Sequence, residues 1–182
     1  DLLKMGVKER IISLMLNLKY AIILISFLAL GFISCSQKEV YYQYEELKNG
    51  KWNQTTECVF YIDSASYDSL QSYDILLEVV HNNSYKYQNL WIGYTLELDA
   101  DSIYTNKQEK EYIIADSEGK WYGSGFGSSY QISMPLLKNV YFDKGNVRKN
   151  HRIRISHRMT DNPLIGIEKV GIKIEKSSSV ND

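Results

Sequence analysis

The sequence predicts an all-β protein, an antiparallel β-sandwich of jelly-roll-like type, carried behind an N-terminal lipoprotein signal peptide. Three observations predict it. Apolar residues alternate with period two through seven or eight short segments. Clusters of Asp, Asn, Ser and Gly separate those segments. No segment after the leader carries the long helical period that the crossovers of a parallel sheet require.

The leader comes first. "MLNLKYAIILISFLALGFISC" begins at Met15, with Lys19 followed by an apolar run from Ala21 to Ile33, then Ser34 and Cys35. A short cationic head, an apolar stretch and a small residue before the cut make a secretory signal. The run falls short of the ~20 apolar residues of a membrane span. "FISC" is similar to a bacterial lipobox, so the Cys35 thiol is expected to carry lipid and become the mature N-terminus; an ordinary signal peptide or an uncleaved helix are the alternatives. The signal is complete from Met15, so residues 1–14 are read as a non-native extension and 15–34 as the signal peptide. Residues 35–52 read as a lipidated tether, 53–176 as the sandwich, and "SSSVND" (177–182) as a disordered tail.

The strands follow. "ECVFYI" puts Cys58, Phe60 and Ile62 on one face, and "YDILLEVV" does the same for Tyr73, Ile75, Leu77 and Val79. "LWIGYTLEL" sets Leu90, Ile92, Tyr94, Leu96 and Leu98 against Trp91, Thr95 and Glu97. "EYIIAD", "YQISMPL", "HRIRISHRM" and "KVGIKIEK" repeat the pattern. "MPLLKNVYF" groups Leu136, Leu137, Val140 and Tyr141 as a short helical turn would. "DSASYDS", "HNNSYKYQN", "DADSIYTNKQ", "DSEGK" and "DKGN" are the turn clusters.

Composition narrows the function. With 182 residues there is room for one domain, and a net charge of −1 argues against nucleic acid. After the leader, the chain carries 17 basic and 20 acidic residues. With Cys35 lipidated, Cys58 has no partner and reads as a buried thiol. Three histidines and one free cysteine show no metal-ligand spacing, and no cofactor motif is present.

Three features are candidates for chemistry. "SEGKWYGSGFGSSY" (117–130) is dense in glycine, as phosphate loops are. A phosphate loop opens a helix, whereas "SSYQISMPL" continues as a strand, so Gly119 is expected to start a turn and Gly123, Gly125 and Gly127 to permit bulges. In "VRKNHRIRISHRM", Arg152, Arg154 and Arg158 share one strand face with Ser156. They form either an anion-binding ladder or a solvated face paired with acidic neighbours. Rings at Tyr85, Tyr87, Trp91, Trp121 and Phe126 could meet a partner or a sugar, or pack inside. Asp99 and Asp101 read as a turn rather than a calcium site, and His81, His151 and His157 form no recognisable triad.

"YKYQNLWIGY" (85–94), "ADSEGKWYGSGFG" (115–127), "FDKG" (142–145) and "HRMTDNPLIGIEKVGIKIEK" (157–176), behind the lipobox, together resemble the GldH lipoprotein family of Bacteroidetes. That resemblance implies a lipid-anchored β-sandwich with no known active site, a non-catalytic accessory component of gliding motility and type IX secretion. Its implied partners are the membrane, through the lipid, and envelope proteins of that machinery. "SQKE" after Cys35 lacks the acidic run of surface-export signals, so an outer-membrane anchor facing the periplasm is expected. In these bacteria "DSA", "DSL" and "DSI" resemble short O-glycosylation sequons, at Ser64, Ser69 and Ser102. A carbohydrate-binding sandwich is the alternative function, with Trp91, Trp121, Phe126, Arg152, Arg154 and Arg158 as candidate contacts in either case.

Overall fold

The computed structural model describes Met15, residues 18–20, 39–63, 66–97, 107–142 and 150–178. The expected lipidation site Cys35, the expected sequons at Ser64 and Ser102, the pair Asp99 and Asp101, and most of the expected signal peptide lie outside the described residues. Met15 and residues 18–20 are helical. By its contacts the chain divides into two units, Asp1–Gln37 and Lys38–Asp182.

Eleven strands are described: β1 (Glu39–Glu46), β2 (Lys51–Trp52), β3 (Cys58–Asp63), β4 (Tyr73–Asn82), β5 (Asn89–Glu97), β6 (Gln108–Ile113), β7 (Ser124–Phe126), β8 (Ser129–Val140), β9 (Asn150–His157), β10 (Leu164–Ile165) and β11 (Ile167–Lys176). One sheet runs β1-β11-β4-β8-β7, a second β3-β9-β5-β6, and β2 pairs with β10. Every pairing is antiparallel. Along the chain, the long strands change sheet at each step except from β5 to β6. That is the eight-stranded jelly-roll path, with β7 added as a short edge.

The core follows from the alternation. Ile75, Leu77 and Val79 of β4, Val170, Ile172 and Ile174 of β11, and Ile132, Met134 and Leu136 of β8 are buried in one cluster with Phe60 and Ile62 of β3, Leu90 and Ile92 of β5, and Ile153 and Ile155 of β9. Residues of both sheets close on one core, as in a sandwich. The Pro135 carbonyl ties the layers, accepting hydrogen bonds from the Tyr112 hydroxyl at 2.9 Å and Lys110 Nζ at 2.7 Å. Proline is tolerated there because β8 has a paired neighbour on one side only at that point.

Three expectations change. Ser177 is not part of a disordered tail: it is buried, with its amide on the Ser72 carbonyl and its hydroxyl on the Asp74 carboxylate. Residues 39–52 are not tether: β1 pairs with β11 from Glu39 to Glu46, and Trp52 is fully buried with its indole N–H on the Thr56 carbonyl. Tyr-rich β1 lies at a sheet edge, so its outward phase stays polar and hides the strand signal. "MPLLKNVYF" is not a helical turn but the end of β8. Its register slips opposite Tyr73 and Ile75, and Asn139 takes a positive φ with its amide bonded to Asp74. Irregular pairing there breaks the period of two.

Candidate partner-binding surfaces

Strand alternation places Arg152 and Arg154 on the outward face of β9, with Arg158 in phase just after its end and Ile153, Ile155 and His157 buried behind them. Their partners come from β5 beside them, from β6 one strand further on, and from Glu57 just before β3. Arg152 Nε lies 2.7 Å from Glu97 Oε2 and Arg154 Nε 2.9 Å from Glu97 Oε1, so one carboxylate is shared by two guanidiniums. Arg154 also reaches Glu57 at 3.3 Å, and Arg158 reaches Glu109 at 3.0 Å. The Glu97 hydrogen bond raises the Arg154 pKa further. The face is therefore an acid–base lattice across four strands, the second of the two readings of the ladder. Each half-exposed pair contributes little on its own. Arg158 lies flat on Gly93, where a Cβ would stand 2.7 Å from its Nε.

The glycine-rich segment builds the far end of the sandwich. The Asp116 carboxylate accepts the amides of Glu118 and Lys120 at 2.9 and 2.8 Å, and Gly119 (φ +84) closes the turn with its amide on the Asp116 carbonyl. Phe126 pairs with Ser129 across a two-residue hairpin loop whose first residue, Gly127, has φ +65. Gly119 thus makes a turn as expected. Gly123 and Gly125 make no bulge. They allow close approach instead: a Cβ at Gly123 would sit 2.2 Å from the Gln131 carbonyl oxygen, and one at Gly125 2.6 Å from the Tyr130 ring.

The aromatic side chains divide. Trp121 turns inward, its ring edge-on to His81 at 4.4 Å and near Tyr85 and Tyr130. Tyr85 is buried, and its hydroxyl donates to the Asn89 carbonyl at 2.6 Å. Of the rings at 85, 87 and 91, Tyr85 therefore packs inside, while Tyr87 is half-buried. Phe126 points out, 96% exposed, beside a groove lined by Val80, Ser129 and Gln131; Trp91 is 38% exposed on the Arg–Glu face. Ser69 sits half-buried in the turn that follows Asp68. Cys58 is buried, and its thiol is pushed up to about 12, chiefly by burial. His81, His151 and His157 are all buried, and the described residues hold no cluster of His, Cys, Asp and Glu that could bind a metal.

One site escaped the sequence reading. Glu78 projects from β4 to the outer side of the five-stranded sheet yet is 1% exposed. Gln131 donates to it at 3.2 Å and Lys173 lies 3.8 Å away. The Tyr44 ring crosses Gly171 to reach this spot, 2.5 Å from where a Cβ would be. Burial, then hydrogen bonding to Tyr42, pushes the Tyr44 hydroxyl pKa up. The signal was present in "LLEVV", a lone carboxylate among apolar residues, but its cover comes from a segment read as tether.

The GldH lipoprotein family model matches residues 39–174. The chain belongs to the GldH lipoprotein family. Two curated GldH proteins are similar to it. The gliding motility lipoprotein GldH homolog of Christiangramia forsetii is 28% identical, over 88% of this chain and 98% of that protein. The gliding motility lipoprotein GldH of Flavobacterium johnsoniae is 26% identical, over 81% of this chain and 91% of its own. The first match covers more of the chain than the unit Lys38–Asp182 supplies, so the similarity extends to residues before Lys38. Among solved structures, the tobacco streak virus coat protein aligns over 82% of this chain and 94% of its own, with 10% identity and a TM-score of 0.25.

Proposed function

We propose that this GldH-family chain is a lipid-anchored envelope protein that serves gliding motility and the type IX secretion machinery as a non-catalytic accessory component. Lipid on Cys35 holds it in the outer membrane, facing the periplasm. The observation that carries this reading is the family match over 39–174, joined to a leader that ends in a lipobox. The curated relatives are named for gliding motility, and a similarity that extends into the leader supports a shared mode of export. The work of such a protein is to bind other proteins through exposed surface. Phe126 and its groove are a candidate contact, with Trp91 and the Arg152, Arg154 and Arg158 face as a second. Ser64 and Ser102 are candidate O-glycosylation sites; Ser69, half-buried beside Leu70, is not proposed as one.

Two measurements test this. In cells fed a palmitate analogue, wild type takes up label and Cys35→Ser does not; equal labelling refutes the anchor. Affinity capture from detergent-solubilised native membranes recovers gliding or secretion components, and capture of none refutes the accessory role.

A further inference from the structure

We infer that the sandwich stands on the membrane by one defined end, the end carrying Leu70 and Tyr141, with these two side chains entering the lipid interface. The inference rests on the Cys35 anchor proposed above and adds which surface meets the bilayer.

Strand register defines the end. Glu39 pairs with Glu175, Lys176 with Tyr73, and Tyr73 with Val140, so the start of β1, the end of β11, the start of β4 and the end of β8 form one row. At strand spacing this row is roughly 15 Å wide. Leu70 lies in the turn just before β4, and Tyr141 directly follows β8. Ser177, after β11, joins the same end through its amide on the Ser72 carbonyl at 3.0 Å.

Chain length then ties this end to the lipid. Only Ser36, Gln37 and Lys38 separate Cys35 from Glu39. Whatever path they take, four Cα steps reach roughly 14 Å at most. The opposite end is about 40 Å away along the twelve residues of β8. A lipid on Cys35 therefore holds the Glu39 row close to the headgroups, within a span no larger than the row itself.

The side chains presented there are unusual for a water-facing turn. Leu70 is 91% exposed and Tyr141 is 59% exposed. Both are held rather than loose. Leu70 and Gln71 donate their amides to the Asp68 side chain and carbonyl at 3.0 and 3.1 Å, and the Asp68 amide donates to the Tyr73 hydroxyl at 2.9 Å. Tyr141 adjoins fully buried Phe142, whose ring packs on Tyr67 at 4.5 Å. A preformed turn with a leucine at its tip and a tyrosine beside it presents apolar surface with little left to order on binding. Tyrosine is a side chain enriched at the headgroup level.

The test uses the full acylated protein in vesicles of phosphatidylethanolamine and phosphatidylglycerol that contain doxyl-labelled lipid. Leu70→Cys, Tyr141→Cys and Phe126→Cys each carry an environment-sensitive thiol fluorophore. The native thiols do not compete, because Cys35 is acylated and Cys58 is buried. Fluorescence at 70 and 141 is expected to be quenched several-fold more than at 126, the opposite end. Intact mass of each sample reports the acyl chains. With acyl mass present, an unquenched label at 70, or equal quenching at 70 and 126, overturns the placement alone. Absence of acyl mass overturns the Cys35 reading and the placement with it. A glycan mass on Ser69 also overturns it, because a sugar beside Leu70 would hold the turn in water.

Discussion

The two ends of the sandwich are closed by different means. At the end where β1 begins, side chains do the closing: Tyr67, Tyr73, Phe142 and His151 pack ring on ring between the sheets. At the other end the backbone does it. Gly50 and Gly166 join through a 2.8 Å hydrogen bond, Gly166 accepts the Asn82 amide, and Gly119 and Gly127 make tight turns. The aromatic group there, His81 with Trp121 and Tyr130, is capped by a Trp121 that is only half-buried. The first end resists change through packed volume. The second depends on positions where no side chain fits, and it leaves polar turns and one bare phenyl ring in water.

The largest effect is expected at the packed end. Phe142 is fully buried and touches three rings. Phe142→Ala is expected to cost about 3–5 kcal/mol, read as a lowered urea midpoint. A cost under about 1 kcal/mol would show that this end is not closed by side-chain volume. Next comes the backbone-closed end. Gly166 has φ +94, and an added Cβ would stand 2.3 Å from the Tyr85 amide nitrogen. Strain and displacement together are expected to cost Gly166→Ala about 2–4 kcal/mol. Hydrogen exchange should then rise first around Tyr85 and Asn82 rather than at the Phe142 end.

Acid acts on the backbone-closed end. His81 and His157 both lie at the backbone-closed end, and both titrate below the ordinary imidazole value, first of all because burial disfavours the charged ring. Asn82 and Glu168 oppose that shift at His81, while Arg158 adds to it at His157. The unfolded chain takes up these protons before the folded one. Stability is therefore full above about pH 6.5 and falls as pH drops below it. Urea midpoints between pH 7.5 and 5 should fall, and should fall less in His81→Phe; a flat profile refutes the assignment.

Legibility in the sequence follows the same division. Period two in "YDILLEVV", "HRIRISHRM" and "KVGIKIEK" was enough for the long central strands, because both neighbours of such a strand are paired and one face is buried. The edges were not legible. β1 looks like polar linker because its outward Tyr42 and Tyr44 sit in a hydroxyl network rather than in the core. The arginine ladder was legible as a face, but its pairing with Glu97 and Glu109 depends on the strand order β9-β5-β6, and neither order nor register is written in a single strand. The inward turn of Trp121 and the outward turn of Phe126 were equally out of reach. Both lie in the glycine-rich "WYGSGF", where no alternation of apolar and polar residues marks which ring faces in.

Phe126 carries the smallest expected effect on stability and therefore the cleanest test of partner binding. At 96% exposed it loses almost no burial on substitution, so Phe126→Ser should stay within about 0.5 kcal/mol of wild type. A large apolar side chain on a tight hairpin tip beside a groove has no role in holding the fold. If the end remote from the Glu39 row is where envelope partners dock, Phe126→Ser should lose captured partners from native membranes while its urea midpoint stays unchanged. Trp91→Ser, on the Arg–Glu face, is the matched control. Loss of partners at Trp91 with retention at Phe126 would move the docking surface from the end of the sandwich to its side.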